Sequence, residues 1–500
     1  MATASAEGPL YLPLVTQPEQ RSSSLSLDAL PTNLYVEKQP DGRTLMGKRP
    51  GFSLQTSAAA VGTARGRGIY NWQGVFYTVI GGTLYTIAGG APAALGAVHL
   101  DGANPSKLYW FNETLGAVPY LYLSDGTGGY TVNGGVLAAI ADPDFPAATV
   151  PGSAFLDGTL YVMDVQGRIW GSALNDPTNW VATNVVQAQV EPDKGVAIAK
   201  QSIYVIALKQ WTTEVFYDAG SYAGTLTGSV LLPAQNAKQP WGCFAPYSVQ
   251  SINDELFWVG GNKSSTSPVV LHMAGLKIER ISTPPIERLL EANPYPTIFS
   301  FQFRQSGHTY YALNYSTNAD GLVSTFSFCL VYDLEQREWY NFTSGQGNAP
   351  YLTYSAGAVT AGGSTTPTLL QGLWGGRFYT PSPTAYTDQH IFLTNADADA
   401  VDSIQADIVT PNYDGGTRLK KTLTKLRILA DQYSAGTLLI RWSDDDYKTW
   451  SNWKQVNLQL IDPFLTNLGT FKKRAFHFRH QMPTAYRIEA VEMERMLGTL

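Results

Sequence analysis

From about residue 61 to 380 the chain alternates short apolar runs with turns rich in Gly, Asp and Asn, and many runs open with an aliphatic residue followed by an aromatic one. Val75 to Ile80, then Gly81-Gly82, then Thr83-Leu84-Tyr85-Thr86-Ile87 predicts a hairpin closed by a two-residue turn. The pattern returns at Leu121-Tyr122, in Asp157-Gly158-Thr159-Leu160-Tyr161, at Ile203-Tyr204, in Asn253-Asp254-Glu255-Leu256-Phe257 and in Gly307-His308-Thr309-Tyr310-Tyr311. Steps between Tyr85, Tyr122, Tyr161, Tyr204, Phe257 and Tyr311 are 37, 39, 43, 53 and 54 residues. A degenerate period of roughly 40 to 50 residues with several strands per unit predicts an all-β chain built around a β-propeller of six or seven blades. Tyr85, Tyr161, Tyr204 and Phe257 are expected at equivalent strand positions, and Gly375-Gly376-Arg377-Phe378-Tyr379 marks a further blade. Two stacked sandwiches are the competing layout. Helix is scarce, with Pro285 to Glu291 the best short candidate.

The period fails at both ends. Residues 1–60 read as an extended N-terminal arm, with Pro9, Pro13 and Pro18 and no steady alternation. Leu10, Tyr11, Leu12, Leu34 and Tyr35 make it apolar enough to dock on its own body or on a neighbour. The propeller is expected over 61–385. Residues 386–500 read as a C-terminal β-sandwich-like module, because Thr424 to Leu429 and Thr437 to Trp442 alternate in the manner of sheets with one wet face.

Composition narrows the classes. Of the 500 residues 44% are hydrophobic and 15% charged, which excludes wholesale disorder, and 47 Gly with 29 Pro exclude a helical rod. The net charge of −6 argues against a protein that grips nucleic acid by neutralising phosphates. That charge is unevenly placed: residues 411–500 carry 14 Lys/Arg and 9 Asp/Glu, or +5, leaving 20 basic and 31 acidic elsewhere, or −11. Cys243 and Cys329 are too few for a disulfide framework or a four-ligand zinc site and are expected as buried thiols. The first basic residue is Arg21 and no run of about 18 apolar residues occurs, so neither a secretory signal nor a membrane-spanning segment is expected.

Candidate chemistry is thin. Ser443-Asp444-Asp445-Asp446-Tyr447-Lys448-Thr449-Trp450 resembles the Asp box, a turn whose carboxylate bonds backbone N–H groups, with Tyr447 where the motif has glycine. Asn395-Ala396-Asp397-Ala398-Asp399 opens like a calcium loop but lacks its glycine and terminal Glu, since Ala400 and Ala406 stand there. His477 and His480 lie three apart on a strand and so face opposite ways. Lys472-Lys473-Arg474, with Arg479 nearby, reads as a solvated or interface charge cluster, with phosphate contact the alternative. There is no phosphate loop, His-Glu-x-x-His or nucleophile elbow. No catalytic, cofactor-binding or metal-binding residue is assigned, and no cofactor.

Several patches together resemble the packaged-DNA stabilisation proteins, the tail hub or nozzle proteins of short-tailed phages of the Salmonella-phage type. They are Asn33-Leu34-Tyr35-Val36-Glu37-Lys38 with Gly47-Lys48-Arg49-Pro50-Gly51-Phe52; Gly66-Arg67-Gly68 before Gly74-Val75-Phe76-Tyr77; Gly171 to Trp180; Thr213-Glu214-Val215-Phe216-Tyr217-Asp218-Ala219-Gly220; and Phe257-Trp258-Val259-Gly260-Gly261. The resemblance implies a non-enzymatic virion protein of the tail, made in the host cytoplasm. It would form a hexameric ring that retains packaged DNA and conducts it during ejection. The implied partners are further copies of itself, portal-adaptor proteins above, needle, spike or fibre proteins of the tail, and genomic double-stranded DNA in passing. Residues 345–410 find no match. A glycan-binding or glycan-cleaving sialidase-like propeller and a receptor-binding tail protein are the other readings.

Overall fold

The computed structural model describes residues 10–14, 30–57, 64–87, 92–102, 104, 107–220, 230–235, 238–292, 298–315, 328–344, 354–360, 368–373, 376–390, 400–433 and 436–497. Within them, seven antiparallel meanders follow one another around a circle. Blades 1 to 6 span 66–97, 110–139, 154–187, 195–233, 242–280 and 299–341. Blade 7 takes three strands from 354–381 and its outermost from the N-terminal segment Phe52–Ser57, paired antiparallel with Arg377–Pro381. Six of these sheets stand alone, and blade 6 continues outward into a nine-stranded sheet. The innermost strand of each blade, Gln250–Ile252 in blade 5 and the first strand elsewhere, touches that of the next, and blade 7 closes on blade 1.

The second strands show why the apolar runs lack clean alternation. Leu121 and Leu123 pack against Val79 and Leu84 of blade 1, while Tyr122 between them packs against Phe155 and Leu160 of blade 3. Leu256 and Trp258 join Ile206 and Leu208 of blade 4, while Phe257 and Val259 join Tyr311 and Leu313 of blade 6. Each such strand is buried on both faces, as ring geometry requires, and so reads as continuously apolar.

The aromatic repeat needs correcting in phase. Register places Tyr77, Tyr122, Tyr161, Ile206, Phe257 and Tyr310 at equivalent positions, the third residue of the second strand in blades 1 to 6, each facing the next blade; in blade 7 it is Leu369 that faces blade 1. Tyr161 and Phe257 keep their expected places. Tyr204 lies two residues early, opposite Gln201, because Ser202-Ile203 is the turn. Tyr85 lies on the third strand of blade 1, opposite Thr78. What recurs most faithfully is the turn itself: Gln73-Gly74, Asp157-Gly158, Asn253-Asp254 and Ser306-Gly307 all have both residues at positive φ, 46° to 84°. That is the backbone a tight hairpin between right-twisted strands demands.

The described part of the arm is built into the body. Leu34–Lys38 and Thr44–Lys48 form a hairpin that joins Arg487–Leu497, Lys421–Ala430 and Phe464–Thr466 in one sheet. Leu10 and Tyr11 pair with Met493 and Glu492 of the same sheet, and Leu12 is buried. Leu30–Thr32 bridges the last strand of blade 6 to Ala406–Val409, which leads to Ala475–His480, Thr437–Ser443 and Lys454–Asn457. Leu34, Val36, Leu426, Ile428, Ile488 and Val491 from the first sheet meet Ile408, Leu438, Ile440, Phe476 and Phe478 from the second in one core. This is a β-sandwich, and the core runs on into Phe301, Phe303 and Tyr354 of blades 6 and 7.

Pro284–Glu291 is a helix, its Ile286 and Leu290 buried one turn apart. No helix among the described residues is long and apolar enough to cross a membrane. Asn395 to Asp399 and Gly375 lie outside the described residues.

Candidate functional site

The ring encloses a cavity of about 610 Å³ to which all seven blades contribute, six through inner strands and blade 3 through Pro151-Gly152-Ser153 just before its first strand; Tyr70, Phe111, Lys200, Gln302 and Gly357 are among the lining residues. Its charged lining residues are Arg67, Lys200 and Asp254. Arg67 is spent on the wall. Its Nε donates to Lys107 O at 2.6 Å, Nη1 to Gly81 O and His99 O at 3.0 and 2.9 Å, and Nη2 to Asp125 Oδ2 at 3.2 Å. His99 Nδ1 sits 2.8 Å from the same carboxylate oxygen. Arg67 thereby ties blade 1 to blade 2, and the glycine after it permits the approach: a Cβ on Gly68 would lie 2.8 Å from Tyr109 O, while Gly66 lies equally close to blade 7, a Cβ there falling 2.5 Å from Gly372 O.

A second buried pair joins ring to sandwich. Arg49 Nη1 donates to Asp388 Oδ1 at 3.1 Å, and Nη2 to Oδ2. Its Nε reaches Asn33 Oδ1 at 2.9 Å and Nη2 reaches Thr343 O at 2.8 Å. Asp388 Oδ1 also accepts the Phe52 N–H at 3.0 Å, where the closing strand of blade 7 starts. Gly51 lies so close to Thr387 that a Cβ would fall 1.8 Å from its carbonyl oxygen. In blade 4, buried Lys209 Nζ donates to Glu214 Oε1 at 2.7 Å and lies 2.8 Å from Asp193 Oδ1. Breaking such pairs on one side costs about 3–5 kcal/mol, because the survivor is left charged and buried. Sequence reading found these patches as a resemblance and missed their roles. The available signal was a cation set among glycines, in Gly66-Arg67-Gly68 and Arg49-Pro50-Gly51, within a chain poor in charge.

The Asp-box-like turn is structural. Asp445 Oδ1 accepts from Ser443 Oγ at 2.8 Å and from the Thr449 N–H at 2.9 Å, and Oδ2 accepts from Thr449 Oγ1 at 2.6 Å. These bonds hold its carboxyl down at about 2. Tyr447, at φ 66° where the motif has glycine, is buried and donates its hydroxyl to Thr410 O at 2.7 Å. Trp450 and Trp453 stack with Arg441, 4.8 and 4.4 Å from the two rings, and Arg479 lies 4.9 Å from Trp453.

The histidines separate as expected. His477 Nε2 lies 2.7 Å from Asp407 Oδ1 on the outer face of the sheet, and buried His480 stacks on Tyr486 inside the sandwich. Of Lys472-Lys473-Arg474, Arg474 is buried, donating to both oxygens of Asp444 at 2.7 and 2.8 Å, and Lys473 Nζ lies 3.5 Å from Asp446 Oδ1. Cys243 and Cys329 are both buried, and burial pushes the Cys243 thiol up to about 12. Among the described residues His308, Asp333 and Glu335 have metal-ligand spacing, yet their atoms already serve a turn. Asp333 Oδ2 meets His308 Nδ1 at 2.7 Å, and Oδ1 accepts the N–H groups of Glu335 and Gln336. Glu335 Oε2 accepts the Thr309 N–H at 2.7 Å.

The buried ion pairs of Arg67 and Lys209 thus hold the ring together, and its sequence signature is a signature of fold. A family model described as Bacteriophage P22 Gp10, beta-propeller, matches residues 12–356. The chain belongs to this phage stabilisation family. It is a phage structural protein, and the buried cations Arg49 and Arg67 are where its segments and blades lock together. No curated protein matches the chain. Among solved structures it is similar to the extracellular domain of a one-component system from B. thetaiotaomicron, with TM-score 0.42, 10% identity, and 81% of this chain and 48% of that one covered. It is similar also to a computationally designed protein, Ika8, with TM-score 0.38, 8% identity and coverages of 66% and 99%. An exo-β-1,3-galactanase from Phanerochaete chrysosporium matches with TM-score 0.28, 10% identity and coverages of 80% and 97%. Likenesses this weak carry no functional argument.

Proposed function

We propose that this chain is a tail component that assembles with further copies of itself into a hexameric nozzle, retains packaged DNA and conducts it during ejection. Membership of the phage stabilisation family carries the reading. The dimensions of one subunit refine it. A B-form duplex is roughly 20 Å across, its major groove alone about 12 Å wide, so a 610 Å³ cavity inside one propeller admits none. The conduit lies between subunits. The balance of −11 outside residues 411–500 suits a wall along which DNA must slide, since each phosphate neutralised by Lys or Arg adds salt-sensitive affinity that acts as friction. Portal-adaptor proteins above and needle, spike or fibre proteins below are the partners of such a ring.

The role is passive. The best-placed carboxylates, Asp125, Asp333, Asp388 and Asp445, each hold a turn or a buried cation. Adding the purified protein to tail-deficient particles tests the reading by nuclease protection of packaged DNA and by imaging of the tail. Restored protection with a six-fold axial ring is expected. Particles that hold their DNA equally well without the protein, or turnover of an oligosaccharide by the isolated chain, would sink it.

A further inference from the structure

Two loops meet at one end of the sandwich, residues 414–420 before Lys421–Ala430 and residues 472–473 after Thr470–Phe471, and four of the five side chains they expose are cationic. Both loops are pinned at their bases. Tyr413 and Arg474 exchange backbone hydrogen bonds at 2.8 and 3.0 Å, and Lys421 pairs with Phe471. Between those anchors the fully buried Lys421 donates from Nζ to Thr417 O at 2.7 Å and to Leu419 O and Lys472 O at 2.9 Å each, so one cation joins the loops through carbonyls alone.

The result is a cluster of like charge. Carrying the antiparallel register one step past Lys421 and Phe471 sets Lys420 opposite Lys472, an arrangement that costs stability. Among the described residues Arg418, Lys420 and Lys472 pair with no carboxylate, and Lys473 Nζ lies 3.5 Å from Asp446 Oδ1, which also accepts from Asn412 Nδ2 at 2.6 Å. Asp414 is the one acid on the two loops, and its Oδ1 accepts the Gly416 N–H at 2.9 Å. Folding gains nothing by gathering these cations; a polyanion does. Three of the four are lysines, point charges on flexible stems that follow a phosphate backbone without reading sequence. The polyanion that the proposed role brings past this chain is duplex DNA, with one phosphate charge per roughly 1.7 Å of its axis.

We propose that Arg418, Lys420, Lys472 and Lys473 contact phosphates of the packaged duplex and brake it: the acidic remainder of the chain lets DNA slide, and a few cations per copy resist that sliding until ejection. The inference rests on the proposed nozzle and names its DNA contact. Binding of the full chain to a duplex of about 30 base pairs is followed by fluorescence anisotropy as salt rises, where three to four phosphate contacts predict a log–log slope of about −3 and a loss of roughly 40- to 150-fold between about 50 and 200 mM salt. Lys420→Gln combined with Lys472→Gln removes two contacts together with the repulsion between them. It is expected to flatten the slope by about 2 with a thermal midpoint no lower than wild type, whereas a merely structural pair would lower it. Lys263→Gln, at an exposed lysine of blade 5, should change neither. On tail-deficient particles the double variant is expected to join and form rings yet to lose nuclease protection sooner than wild type. A wild-type chain that leaves the duplex unbound at low salt, a double variant with the wild-type slope, or polyglutamate bound as tightly as duplex of equal charge would overturn the contact and leave the nozzle standing. Wild-type protein that fails to restore protection to the particles removes the nozzle reading, and with it the reason for DNA to reach these lysines.

Discussion

A tyrosine at φ 66° is an expensive substitute for glycine, on the order of 1–2 kcal/mol, and Tyr447 recovers that cost by burying its ring and bonding Thr410 O. Tyr447→Phe is therefore expected to cost about 1 kcal/mol in urea unfolding. Tyr447→Gly restores the motif residue yet costs more, because the lost ring outweighs the relieved backbone. Asp445, held down at about 2, supports the same turn at every pH above the ordinary carboxylate value and loses that support as pH falls toward 2. Asp445→Ala should loosen the turn at neutral pH and be nearly silent at pH 2, as read by near-ultraviolet dichroism of Trp450. Burial, with Lys48 nearby, pushes His480 down to about 3, so between about 6.5 and 3 the unfolded chain binds a proton that the folded chain refuses. Stability should fall with pH across that window, and His480→Phe should flatten the fall in thermal scans. His308 pulls the other way: burial lowers it, Asp333 outweighs burial, and its contribution fades as pH rises through its folded value. A variant at His480 with an unchanged acid limb would refute the assignment.

Blade 7 is where elements far apart in sequence must meet, since Phe52–Ser57 closes a sheet begun 300 residues later. Phe52 is fully buried, its ring 5.5 Å from Phe303 and 5.1 Å from Tyr354. Phe52→Ala is expected to cost about 3–5 kcal/mol, with amide exchange rising first in blades 7 and 1 if the ring opens at this seam. Exchange that rises evenly through all blades would show that the closing strand is no weaker than the rest. These are also the elements that sequence shows least. Turns such as Asp157-Gly158 announce themselves because local chemistry decides them, and so do the blades they punctuate. Leu34-Tyr35-Val36 alternates visibly, but nothing local says that Arg487 to Leu497 will be its sheet partner, so the segment looks like an arm. Tyr204 misleads for a related reason: the aliphatic residue before it belongs to a turn, and only pairing with Gln201 reveals the phase. At the buried ion pairs the cations were legible as residues and their partners, 58 or 339 positions away, were not.

At the scale of the whole molecule, the arm's place in the body changes what its removal does. Leu10 and Tyr11 add a strand beside Met493 and Glu492, the Leu12 N–H donates to Val491 O at 2.9 Å, and the Leu12 side chain is buried in the core shared by both sheets. Burying one leucine is worth about 2 kcal/mol, and the strand beside it shields an edge that would otherwise offer unpaired backbone groups. Since that core runs without a break into blades 6 and 7, the loss reaches the ring. Deleting residues 1–14 is therefore expected to lower the thermal midpoint of the full chain and to expose apolar surface, read as dye binding. Assembly then fails through instability. The control is Leu12→Ala in the full chain, which keeps every backbone hydrogen bond of the strand and should reproduce a large part of the loss. If the deletion leaves the midpoint unchanged and still abolishes joining to tail-deficient particles, residues 1–14 act between subunits and their contribution to this core is dispensable.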